Sequence, residues 1–293
     1  TRSCLARGLG DVYKRQDKLS LNKLSSYHKE YLFFHYFCIV TFKINIMRFY
    51  QITPNLSISD DSNFGNYDHK IIYELLTSIS SNFSKHLNLI SSSVPPCRIT
   101  YINTNPRCSN IMSERWIFLH VSQDYWCQWI YQFAHEYCHH LINGAMSDDI
   151  IGLIWFEESI CELSSMYHLH QLSTQWSISN DPIKLRYVPA LHNYLHDLIS
   201  KQPQLFSDAL RPGFLALWEQ ILSEPICYRD YYNVLAAKMF PLFVENPSLW
   251  KIILHFGDMR KWGSLQELFD YLQRNATPDY SDSLNELQSL LLS

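Results

Sequence analysis

An α+β fold, mostly helical, is predicted from three observations. Apolar residues recur at intervals of three and four over most of the chain. Two short stretches, 98–103 and 116–121, alternate or run apolar like strands, and both lie just ahead of a strongly helical stretch at 126–142. Aromatics are plentiful at 15% and glycine is scarce at 8 residues, a balance that favours a compact helical body over a disordered or repetitive chain.

The first sixteen residues, TRSCLARGLGDVYKRQ, include text that resembles a translated sequencing adapter, and they are set aside as an assembly scar. The first methionine is Met47, so residues 1–46 are expected to be non-native or translated upstream sequence. The alternative is that the apolar run Tyr31–Phe42 is a real targeting segment, the h-region of a signal peptide with Lys23 and Lys29 before it. It is too short to span a bilayer comfortably, and no small-residue cleavage site follows it. Nothing after Met47 resembles a signal or a transmembrane span. The formal net charge of −4, with 24 basic and 28 acidic residues and no basic run, argues against nucleic acid as a partner. The 8 cysteines contain no C-x-x-C pair and several sit at apolar positions, as expected of free thiols in a reducing, cytoplasmic setting.

From Met47 the elements follow in order. Residues 68–90 place Ile71, Ile72, Leu75, Leu76, Ile79, Phe83 and Leu87 at helical intervals with serines opposite, a scaffold helix. Ser91–Ser93 and Pro95-Pro96 break the chain before the first strand, RITYIN. The second strand, WIFLHV, is apolar on both faces and so covered on both. A helix then carries Trp126, Trp129, Ile130, Phe133, Tyr137 and Leu141 on one face, with Asn143-Gly144 as its stop.

Within this helix lies His135-Glu136-Tyr137-Cys138-His139, an H-E-x-x-H motif. Two imidazoles four residues apart project from one face and can share a tetrahedral Zn²⁺, and Glu136 beside them is placed to take a proton from a water. Cys138 points to another face, as does His140. The next helix is expected over 149–172, with Ser147–Asp149 as its capping and acidic start. One face reads Ile151, Ile154, Trp155, Glu158, Cys161, Glu162, Ser165, Leu169, so two carboxylates interrupt a largely apolar stripe. Buried carboxylates need a partner, and the metal site is a natural one. Glu157, off that stripe, is expected to be an exposed helix residue.

The text WFEESICELSS is similar to the W-x-x-E-G-x-A-E-x-x-S pattern of the gluzincin metallopeptidases, and residues 140–157 separate His139 from Glu158 by the spacing of their aminopeptidase branch. Ser159 stands where that pattern often has glycine. The resemblance covers about residues 95–172. It implies His135, His139 and Glu158 as zinc ligands, Glu136 as general base and Glu162 as an outer carboxylate bonded to a ligating histidine, with a salt bridge as the alternative for Glu162. It also implies a zincin-like catalytic lobe over 47–172 with a small sheet and active-site helix, an edge strand that pairs with extended substrate, and an all-helical C-terminal lobe over 173–293.

That last part is helical in pattern at 185–200, 204–222, 229–244, 247–256, 264–273 and 282–292, punctuated by prolines. The resemblance implies a tyrosine from this lobe as the oxyanion donor, for which Tyr231 and Tyr232 are the candidates. His192 and His196 read as surface histidines, and His168 and His170 lie on opposite sides of a turn. The expected activity is zinc-dependent hydrolysis of peptide bonds in a peptide or protein substrate, with no nucleic acid and no membrane. The alternative is a catalytically inert, zinc-stabilised binding protein. No G-x-M-E-N-like motif precedes His135, so aminopeptidase action is not expected from the spacing.

Overall fold

The computed structural model describes residues 47–90, 93–111, 114–142, 152–224, 227–257 and 259–293. The expectations for 1–46, for the Asn143-Gly144 stop and for the Ser147–Asp149 cap lie outside these residues.

Five strands form one mixed sheet, β1 (Phe49–Thr53), β2 (Leu56–Ser59), β3 (Cys97–Tyr101), β4 (Arg107–Ile111) and β5 (Glu114–Leu119), in the order β1-β2-β3-β5-β4. The β1–β2 and β4–β5 pairs are antiparallel, while β2–β3 and β3–β5 are parallel. The inner strand β5 is apolar on both faces because it is paired on both sides and covered. Helix α1 (His69–His86) makes the crossover from β2 to β3. Asp68 caps it, its carboxylate accepting from Ile71 N at 3.2 Å. The buried side of α1 is the apolar stripe of the sequence: Ile71, Ile72, Leu75, Leu76, Ile79 and Phe83.

Helix α2 (Trp126–Ile142) follows β5 and lies against α1, β4 and β5. Local contacts fix its start. Gln123, at φ +52°, donates its backbone N–H to Phe64 O at 2.7 Å, and Trp129 Nε1 donates to Gln123 O at 2.9 Å. Gly65, at φ +71°, lets the two segments approach, since a Cβ there would sit 3.2 Å from Gln123 Cγ. One turn further, the Gln132 amide bonds both backbone groups of His120 at the end of β5, at 2.8 and 3.0 Å.

Helix α3 (Ile154–Ser177) packs along α2 and is itself covered by α4 (Pro182–Ile199) and α7 (Arg229–Glu245). It runs through Leu172 without a break and is buried on nearly every face. Ser164 Oγ donates to Ala134 O at 2.8 Å and Ser165 Oγ to Tyr131 O at 2.7 Å, two bonds that draw the backbones of α2 and α3 together.

The remaining helices are α5 (Pro203–Ala209), α6 (Phe214–Leu222), α8 (Leu265–Asn275) and α9 (Pro278–Leu292), with 3₁₀ segments at Pro247–His255 and Met259–Lys261. The stretch 204–222, read as one helix, is two. Pro212 has no N–H to continue the ladder, and Gly213, at φ +70°, turns the chain into α6. The stretch 247–256 is a 3₁₀ segment rather than an α-helix. Pro182, Pro203 and Pro278 open helices, whereas Pro189 and Pro241 lie inside them. Residues Phe49–Ser293 pack as one unit, and among the described residues no helix is long and apolar enough to cross a membrane.

Candidate metal centre

Helix α2 buries almost its whole circumference, so its polar residues sit inside the protein. His135, Glu136 and His139 are 4%, 5% and 8% exposed. The ring centroids of His135 and His139 lie 5.0 Å apart, one turn above the other. Glu158, in the first turns of α3, faces both. Its Oε2 is 3.4 Å from His135 Nε2 and its Oε1 is 3.4 Å from His139 Nε2.

These separations decide what the three residues can hold. The two contacts go to different oxygens of the one carboxylate, and at 3.4 Å each is longer than a good charge-assisted hydrogen bond of about 2.7–2.9 Å. All three ligand atoms lie within 4.8 Å of one another, and the residues could hold a metal ion.

The electrostatics agree with a cation site. Burial works to lower the His139 pKa, but the Glu158 and Glu157 carboxylates outweigh it and hold the imidazole well above its ordinary value. Burial works to raise the Glu158 pKa, yet the two histidines hold that carboxyl well below its ordinary value. Burial pushes Glu136 up, against the pull of His135 and His139.

No protein-family model, curated protein or solved structure matches this chain.

Glu157 departs from its expected place. It is 8% exposed rather than at the surface, and its Oε1 lies 2.8 Å from His139 Nδ1. The expectation failed because α3 is covered on nearly every face around Glu157, so a residue off the apolar stripe does not reach water. Glu162 takes the second of the two places open to it, the salt bridge. It is 1% exposed, but its Oε1 lies 3.9 Å from His135 Nδ1, beyond hydrogen-bonding distance. Its carboxylate is taken up instead by Arg229 Nε at 3.0 Å and by the Tyr131 hydroxyl.

The two candidate tyrosines separate. Tyr231 is half-buried and packs edge-on against Trp218 and Tyr228, with ring centroids at 4.7 and 5.8 Å. Tyr232 is 1% exposed, and its buried hydroxyl has no hydrogen-bond partner among the described residues. Burial pushes its pKa up, and the charge of Glu158 is among the groups that add to this. Cys108, on β4, feels the charges of the site: burial, reinforced by Glu136, pushes its thiol up to about 11. Neither Tyr131 and Arg229 nor Cys108 was singled out from sequence, where nothing distinguishes them from packing residues. His192 and His196 lie exposed on α4 and belong to no such cluster among the described residues.

Proposed function

We propose that this protein is a zinc-dependent hydrolase of peptide bonds with a zincin-like architecture: a sheet and α2 carrying the chemistry, and helices beyond residue 173 closing the other side. The observation that supports it most is the convergence of His135, His139 and the Glu158 carboxylate, with ligand atoms within 4.8 Å of one another, beside a buried Glu136. Glu136 follows His135 directly on α2, the order that proton-abstracting zinc sites use. Zn²⁺, when bound by His135, His139 and Glu158, supplies a Lewis acid that acidifies a water and polarises a carbonyl.

The chain's own residues supply the rest. Glu136 takes the proton of the attacking water and delivers it to the leaving amine. Its burial raises its pKa above the ordinary carboxylate value, the direction that favours a group which must both accept and donate. Tyr232 offers a buried, uncommitted hydroxyl for the oxyanion. Strand β4 forms one edge of the sheet next to α2, and an extended substrate segment would add to it by backbone pairing. The described cysteines are all free, in keeping with a cytoplasmic setting.

The test is metal analysis of the purified chain and of His135→Ala, followed by peptide hydrolysis by Glu136→Gln. About one zinc per chain, lost in the first variant, with zinc retained but hydrolysis lost in the second, is the expected result. Zinc without hydrolysis in the unaltered protein would favour the inert binding protein. Absence of zinc from intact folded protein would sink both readings.

A further inference from the structure

Glu157 is a buried carboxylate that the proposed reaction does not use. A carboxylate in such a place is costly unless a donor meets it. Its contact with His139 Nδ1, at 2.8 Å, is favourable only if that nitrogen carries the proton. Nε2 is then the nitrogen turned to the ligand triangle, 3.4 Å from Glu158 Oε1.

His135 is held differently. Its Nδ1 is buried with no hydrogen-bond partner among the described residues, and Glu162, 3.9 Å from it, is engaged by Arg229 and Tyr131. One ligand histidine is thus oriented by a carboxylate and the other by packing.

We infer that Glu157 is the positioning residue of the metal centre, fixing the tautomer and orientation of His139. The inference rests on the zinc reading of the site. Glu157 and Glu158 are neighbours in one turn of α3, yet they address opposite nitrogens of a single ring, one as orienter and one as fellow ligand. Any shift of that turn moves both carboxylates together, so the ring keeps its relation to the third ligand. Partners of this kind typically govern metal affinity by about 10–100-fold.

The experiment is a Zn²⁺ competition titration against a chromophoric chelator, using the full chain and the variants Glu157→Ala and Glu157→Gln. ¹⁵N-histidine NMR of the zinc-loaded proteins is recorded alongside. Glu157→Ala should bind zinc about 10–100-fold more weakly and lose the low-field His139 Nδ1–H resonance. Glu157→Gln, which keeps an acceptor oxygen but no charge, should retain a shifted resonance and lose less affinity. Glu286→Gln, altering an exposed glutamate on α9, should change neither. If Glu157→Ala does not fold, Glu157→Gln decides the matter. Zinc affinity within twofold of the unaltered protein, with the resonance unmoved, would overturn the inference. No zinc uptake by the unaltered protein is a different failure, which removes the zinc reading and this inference with it.

Discussion

The Nε of Arg229 donates to Oε1 of Glu162 at 3.0 Å, tying the first turn of α7 to a carboxylate buried on α3. Removing one partner of a buried ion pair typically costs about 3–5 kcal/mol, because the other is left charged and unmatched. Arg229 is 40% exposed, so water softens the loss. Arg229→Met is expected to destabilise by about 2–3 kcal/mol, read from urea unfolding at neutral pH. A change under about 0.5 kcal/mol would mean that Tyr131 alone satisfies Glu162.

Ser164 has no exposed surface, and its hydroxyl caps a carbonyl of the neighbouring helix. Ser164→Ala should cost about 1 kcal/mol, the usual net worth of one hydrogen bond. Ser164→Leu should cost more, since it forces apart two backbones that the small side chain allows to approach. Thermal unfolding of the pair orders them.

If Tyr232 donates to the oxyanion, Tyr232→Phe should lower kcat by roughly 10²–10³ while zinc content and KM stay near those of the unaltered protein. Tyr231→Phe should stay within about twofold, since Tyr231 packs against Trp218 and Tyr228. Steady-state kinetics on a cleaved peptide separates the two. Equal losses in both would point to packing rather than chemistry.

His168 gives a pH dependence distant from the hydrolytic step. It is 1% exposed, its Nδ1–H donates to Ser164 O at 2.8 Å, and burial pushes its pKa down to about 3. The unfolded chain takes up that proton near pH 6.5, the folded one only near pH 3. Stability is therefore fully present above about pH 6.5 and falls as the pH drops toward 3, by up to about 1.4 kcal/mol per unit. His168→Gln should show a flatter loss between pH 7.5 and 5.5 in denaturant titrations. Identical slopes would mean that His168 titrates normally.

Much of this architecture could be read ahead of the coordinates, for local reasons. The α1 stripe, the strands near 98 and 116, and the spacing of His135 and His139 each depend on residues close in sequence. Strands β1, β2 and β4 escaped because FYQIT, LSIS and RCSNI are short and mixed in character, and only their neighbours in the sheet make them strands. Glu157 was misplaced, and Glu162 stayed open between two partners, for a related reason. Whether a carboxylate reaches a histidine depends on which helix covers it and whether a distant arginine claims it first, and Arg229 lies 67 residues from Glu162.

The two serine bonds between α2 and α3 have a bearing on which element the centre would prefer. His135 neighbours Ala134, whose carbonyl Ser164 engages, and Glu158 rides on the opposing helix, so the separation of the two backbones is one of the things that would set the size of the donor triangle. A larger ion such as Cd²⁺ or Mn²⁺ would need the helices to part and those hydroxyl contacts to lengthen. Ion discrimination would then belong to the seam between the helices as much as to the donor atoms, and a change at Ser164, which supplies no ligand, would retune it.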